Sequence, residues 1–349
     1  MKKRVTEGDW IAFERKQQKS RLKEIKRRNV VLKLLRANRI NKTPKRLRRP
    51  SRGTRILYAP ENFSFINNTE ELIKFFNRME KIQSKGFDVD IDFSGIKALT
   101  PDSLAVLVAT MDVGRFSYGR ICKGNEPADE DLKRKFTSSG LYDVVRSSGV
   151  RVEPTVGRFQ NKKSKKVDSV KSNDLIKFVT TRLYKKPVKC GGVTNALLES
   201  MLNTRGHAAG SGSRYETWWV AAQCDISRKQ AYYSFVDTGV GIFKSKQPSI
   251  LREALSKLML TSNSQLLKKM LHRQIPSSTG IPYRGRGLPS IFKSLKRGDI
   301  ANLIIITNDV YANVSEDEYR RITPEFSGTF LYWEYPGERH GKAKPKRAA

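Results

Sequence analysis

The segment Tyr232-Tyr233-Ser234-Phe235-Val236-Asp237-Thr238-Gly239-Val240-Gly241-Ile242 runs from aromatic and β-branched residues into an acid and then two glycines at alternate positions. Such a run favours a buried strand, and the Asp-x-Gly-x-Gly that closes it reads as a tight loop at the strand's end. Glycine opens backbone angles closed to other residues and lets a ligand come close to the main chain. A carboxylate held at a strand end can accept a hydrogen bond from a donor such as an exocyclic amine. Alone, the pattern also fits an ordinary strand-to-loop turn, so its meaning depends on its neighbours.

Upstream, the stretch from Gly192 through Leu197, Leu198, Met201 and Leu202 has helical periodicity, and Glu199, Asn203 and His207 follow one another at intervals of four. That spacing places an acid, an amide and an imidazole along one helix face beside the apolar stripe; a polar solvent face has the same signature. Downstream, Arg284-Gly285-Arg286-Gly287-Leu288-Pro289-Ser290 leads into a helix over 291–295. A glycine loop opening a helix suits a phosphate, because unpaired amides and the positive end of the helix dipole face the anion. Residues 303–307 read as a buried strand, and Ser327-Gly328-Thr329-Phe330-Leu331-Tyr332-Trp333 as another.

In this order the motifs resemble the GHKL, or Bergerat-fold, ATPase superfamily, which includes gyrase B subunits, histidine kinases and anti-sigma-factor kinases. The resemblance covers residues 175–336. It implies an N box with Glu199, Asn203 and His207, a first glycine box with Asp237, Gly239 and Gly241, a second with Gly285 and Gly287, and Thr329 on a late strand. It further implies ATP and Mg²⁺ as cofactors: Asn203 holds the metal, Asp237 meets the adenine amino group, and Glu199 orients or deprotonates the attacking water or hydroxyl. Residues 243–284 then form a lid, with Lys244, Lys246, Arg284 and Arg286 as phosphate contacts. The histidine four residues after the N-box asparagine is most like the anti-sigma-factor kinases. No phosphoacceptor helix of the sensor-kinase kind is legible, since His272 and His340 lack that setting.

The chain ahead of this region alternates strands and helices. Strands are expected at 56–58 and 89–93, helices at 67–82, 104–111 and 129–136. Thr100 stands as a cap and Pro101 at the first helical position. The run Ile91-Asp92-Phe93-Ser94-Gly95-Ile96, followed by Thr100-Pro101-Asp102-Ser103-Leu104-Ala105-Val106-Leu107, resembles a STAS domain, the anti-sigma-factor antagonist fold, over residues 54–150. By that resemblance Ser103 is the phosphoacceptor position; Leu104 and Ala105 replace the second hydroxyl residue and glycine usual there.

The expected architecture is therefore α/β, an α+β sandwich: a basic helical arm with linker (1–53), the STAS-like domain (54–150), a basic linker (151–174), the GHKL-like domain (175–336) and a basic tail (337–349). With 349 residues and 38% hydrophobic content the chain can build real cores. Its net charge of +34 favours polyanionic partners. Residues 1–53 hold 20 Lys and Arg against four acids; they fit nucleic-acid contact, or an amphipathic helix docked on the chain's own body. Cys122, Cys190 and Cys224, odd in number and widely spaced, read as reduced thiols rather than disulfides or a zinc site. No apolar run of about 18 residues and no secretory leader is visible, so a cytoplasmic protein is expected. The expected function is a Mg·ATP-dependent ATPase or serine/threonine-kinase-like regulator with a STAS- or sigma-factor-type protein partner, a homodimer being left open. The alternative is a nucleic-acid-binding regulator or defence protein that uses ATP as a conformational switch.

Overall fold

The structure, a computed structural model, describes residues 51–139, 141–143, 162–164, 167–207, 217–244, 262–274 and 287–336. Residues 1–50 of the expected arm and the tail 337–349 lie outside the described residues. What is described belongs to one compact unit of mixed α/β architecture.

Three short parallel strands, β1 (Thr54–Tyr58), β3 (Asp88–Asp92) and β5 (Cys122–Gly124), lie side by side in the order β1-β3-β5. Helix α1 (Thr69–Ser84) connects the first pair and α2 (Pro101–Ser117) the second. Two two-residue strands, β2 (Asn62–Phe63) and β4 (Ala98–Leu99), pair in parallel beside them. α1 is amphipathic, with Leu72, Ile73, Phe75, Phe76 and Met79 buried at three- and four-residue intervals. α2 is apolar nearly all round, and a helix of that kind must be covered on every side. It is: α1 and α2 touch the small sheet on one side and a larger sheet on the other. Helix α3 (Glu130–Ser138) is capped by Asp129, whose side chain accepts from the Leu132 amide.

The larger sheet is antiparallel, in the order β6-β7-β8-β10-β9, from β6 (Lys162–Ser164), β7 (Trp218–Asp225), β8 (Gln230–Asp237), β9 (Ala301–Asn313) and β10 (Glu318–Tyr335). Alternation along its strands splits the core in two. Trp218, Val220 and Ala222 of β7 face helices α4 (Ser169–Tyr184), α5 (Gly191–His207), α6 (Asn263–Leu271) and α7 (Gly287–Lys296), whereas Trp219 and Ala221 join the α1–α2 side. Tyr233 and Trp333 stack on the first face at 5.6 Å. Phe65 meets Phe326 and Phe330 on the second. Each such ring contributes about 1.5–3 kcal/mol by leaving water. The core of the N-terminal strands and helices is thus continuous with one face of the large sheet.

Part of the linker expected over 151–174 is ordered. Lys162–Ser164 adds an edge strand to β7, and α4 starts at Ser169 with Asp168 accepting from the Lys171 amide. The basic surface of this stretch hid the helix, whose buried apolar residues begin only at Leu175. Cys122, Cys190 and Cys224 are free thiols, and burial pushes the Cys224 thiol to about 11. Among the described residues no helix is long and apolar enough to cross a membrane.

Asp102 and Ser103 staple the start of α2 to the β2–α1 segment. Asp102 Oδ2 accepts from the amides of Phe65 at 2.8 Å and Ile66 at 3.1 Å; Ser103 Oγ lies 2.7 Å from the Phe63 carbonyl and 2.6 Å from that of Thr100. Burial raises the Asp102 carboxyl above its ordinary value, against the lowering effect of its hydrogen bonds. The folded state then holds this proton more tightly than the unfolded chain. Its contribution is present below the unfolded carboxylate range and is lost as pH rises through the folded value. Asp102→Ala, which orphans one buried and one partly buried amide, is expected to cost about 2–4 kcal/mol in urea denaturation. Asp102→Asn keeps an acceptor, loses less, and flattens the fall of stability with pH; an alanine variant as stable as the parent would refute the staple.

Candidate functional site

The site is built on α5. Its row of polar residues begins one turn earlier than the sequence indicated, at Asn195, and continues through Glu199, Asn203 and His207. α7 packs against this row in the opposite direction. Asn195 Nδ2 donates to the Ser290 carbonyl and to Ser294 Oγ, both at 3.2 Å, and Ser290 Oγ donates to Asn195 Oδ1 at 3.1 Å. One turn back from Ser290 in α7, Gly287 comes so close to Asn203 that a Cβ on it would sit 2.6 Å from Oδ1 and 3.0 Å from Nδ2. At the other end of the pair, Gly192 lies against Asp299. The polar row is therefore turned into a helix–helix seam. Asn203 is half-buried, and one carboxylate oxygen of Glu199 is shielded from solvent. α5 extends to His207, whose side chain lies outside the described residues.

α7 is already helical at Gly287, ahead of the start expected at Ile291. Pro289 sits in its first turn, where amides have no intrahelical acceptor and proline costs nothing. Gly285, Arg284 and Arg286 fall outside the described residues, as does Lys246.

Asp237 ends β8 in register with Trp218 of β7 and Thr329 of β10. Strand alternation directs it to the face that carries α5 and α7, since Tyr233 and Phe235 pack there. It is only 6% exposed, and its Oδ1 accepts from the Gly239 amide at 2.8 Å, turning the chain out of the strand. Gly241 has φ +84°, and a Cβ there would press on the Asn308 side chain at 2.5 Å. Gly328, at φ +138°, passes directly over the Asp237 carbonyl.

Two residues that hold this loop were missed in the sequence. Thr307 Oγ1 accepts from the Ile242 amide at 3.0 Å and donates to the Gly328 carbonyl at 2.9 Å, with Thr329 Oγ1 3.3 Å away. Asn308 Oδ1 accepts from the Phe243 amide at 3.0 Å while its Nδ2 donates to the Val240 carbonyl at 2.8 Å. Asn308 has φ +50°, a left-handed conformation that asparagine tolerates better than most residues. The available signal was the break of the Leu303–Ile306 apolar run by a polar pair, which by itself reads as a strand end.

The expected lid is described only in part. Asn263–Leu271 forms α6, capped by Ser262 and seated through Leu266, Leu267 and Leu271; Asn263 Nδ2 donates to Asp309 Oδ1 at 2.8 Å. Lys244, expected at phosphate, is ion-paired with Glu325 of β10, whose backbone carbonyl also accepts from Asn77 of α1. Ser103 is corrected outright: it has no exposed surface, and its hydroxyl serves two main-chain carbonyls. It is a structural group, out of reach of a phosphoryl donor in this fold.

Among the described residues no three His, Cys, Asp or Glu side chains converge as a metal-binding group. No protein-family model matches the chain, and neither a curated protein nor a solved structure is found to be similar to it.

Proposed function

We propose that the chain binds Mg·ATP between α5, the loop after β8 and the start of α7, as a GHKL-type ATPase or serine/threonine-kinase-like regulator whose N-terminal part is STAS-like. The observation that carries this reading is the seating of Gly287 on Asn203. Two segments 84 residues apart, each suspected separately, share one contact, where any Cβ on residue 287 would push the Asn203 amide aside. The loop from Asp237 to Phe243, pinned by Thr307 and Asn308, supports it as a rigid wall at the same face of the sheet.

The residues present fit the nucleotide and its metal. Mg²⁺ keeps several waters and takes few protein ligands beside substrate phosphates; here Asn203 would offer its amide oxygen. Asp237, buried and ending a strand, accepts a hydrogen bond from an amine donor. The α7 N-terminus presents first-turn amides toward an anion. Glu199, on the same helix row as Asn203, is the group to orient and deprotonate a hydroxyl or water. When bound, Mg·ATP supplies the phosphoryl group. With Ser103 sealed in the core, transfer goes to water or to a hydroxyl of another protein.

Titration of the full chain with ATP by calorimetry, in Mg²⁺ and in EDTA, tests the reading. Mg²⁺-dependent affinity is expected, weakened about tenfold or more by Asn203→Ala, the scale of one lost charge-assisted contact. Glu199→Gln is expected to keep binding and slow turnover about a hundredfold. Absence of Mg²⁺-dependent affinity in the parent protein sinks the proposal.

A further inference from the structure

We propose that α1 carries a groove for the phosphate backbone of double-stranded nucleic acid, separate from the basic arm at residues 1–53. The groove is outlined by Lys74, Asn77, Arg78, Lys81, Ile82 and Lys85 of α1 and its cap, with Pro324 of β10 as the facing wall, and encloses about 540 Å³. Lys74, Arg78, Lys81 and Lys85 recur at intervals of four, three and four, which puts them on one face of the helix; all four are exposed.

The acids of the same helix are engaged elsewhere. Glu80 meets the Tyr118 hydroxyl and Glu70 the Arg320 guanidinium; Glu71 alone touches the row, at Lys74. Glu325, next to the groove wall, is taken by Lys244. Arg78, Lys81 and Lys85 have no ion-pair partner among the described residues, and Arg52 lies against Gly86 just beyond the helix. Cations left without acids on an ordered helix keep their charge for an external anion.

The geometry selects the anion. From residue 74 to 85 the helix advances about 16 Å, which spans about five phosphates of one strand of a duplex. A single phosphate or nucleotide would engage only a part of that row. The lining contains no aromatic ring, the usual platform for unstacked bases, which favours a duplex over a single strand and backbone contact over base reading. The row also rides on a rigid support, since the opposite face of α1 is locked in the core by Leu72, Phe75, Phe76 and Met79.

Fluorescence anisotropy of a labelled 20-base-pair DNA with the full chain, over a series of KCl concentrations, provides the test. The triple variant Arg78→Gln/Lys81→Gln/Lys85→Gln is compared with a control, Lys177→Gln/Lys186→Gln/Lys293→Gln, which removes equal charge at exposed positions outside the groove. The groove triple is expected to reduce the slope of log K against log salt by about two to three and to weaken binding at about 0.1 M salt by at least tenfold, at unchanged melting temperature. The control is expected to stay within about twofold of the parent, and Lys81→Arg/Lys85→Arg to keep the full slope. Equal losses in both triples would reduce the effect to net charge, and no loss in either would leave binding to the arm; each overturns the proposal. So does groove-dependent binding to phosphatidylserine vesicles without groove-dependent binding to DNA. Asn203→Ala, which addresses the nucleotide reading, is expected to leave DNA binding intact, so the two proposals fail separately.

Discussion

Gly287→Val is expected to weaken Mg²⁺-dependent ATP binding by about tenfold in Kd, as far as Asn203→Ala does, while the fold survives. A Cβ at this position would stand 2.6 Å from Asn203 Oδ1, well inside contact distance, and a branched side chain leaves the amide no room to stay. Gly287 lies in the first described turn of α7, where valine costs about 0.5 kcal/mol of helix propensity, so the helix tolerates the change. The damage is therefore placed on Asn203. A double-mutant cycle separates this from general distortion. Where Asn203 is already alanine, Gly287→Val has little left to displace, so the two effects on affinity should fall well short of adding. Calorimetric titration of the four proteins supplies the cycle. Full additivity, or a Gly287→Val protein that binds ATP like its parent, would show that the contact does not position the amide.

Gly328→Ala is expected to be the most destabilising single methyl addition in the described chain, at about 3 kcal/mol or more. Two costs combine. At φ +138° an L-residue is strained, by about 1–3 kcal/mol, and the new Cβ collides with the backbone carbonyl of Asp237, which cannot swing aside as a side chain would. Relief requires β8 and β10 to part where Asp237 pairs with Thr329, at the point where the register of β10 against β9 shifts between Phe326 and Thr329. The expected fall in melting temperature is about 10 °C for a unit of this size. Because the Gly328 carbonyl also accepts from Thr307, the loop after Asp237 should loosen as well, seen as faster amide exchange at Ile242 and Phe243. An unchanged melting temperature would mean that the strand ends yield easily, contrary to the tight pairing of this region.

Asn308 and Thr307 illustrate why the loop was read from its glycines and not from its anchors. The Asp-x-Gly-x-Gly run is a local signal: strand propensity, a turn-forming carboxylate and two permissive residues lie within five positions. Its anchors are 65 residues away, on a strand that reaches it only through the intervening β10. Asn203 and Gly287 were each legible, but their contact was not, and Asn195 looked like any helix polar residue until Ser290 and Ser294 were placed beside it. Ser103 was misjudged for the converse reason. Its position after Pro101 and Asp102 fits a helix start whether the hydroxyl faces solvent or the Phe63 carbonyl, and periodicity does not distinguish the two.

By itself the sequence determined the mixed α/β class and several elements, α1, α2, α5 and β8 among them, because alternation, helical spacing, caps and glycines act over a few residues; β5, β7, α4 and α6 went unread. Tertiary structure alone decided that α1 and α2 lie between two sheets, that Ser103 is sealed, that Gly287 seats on Asn203, and that four cations of α1 and its cap share a groove with Pro324. Those outcomes depend on which face meets which across dozens of residues. Burial and close approach are properties of that pairing, and no short stretch of chain contains them.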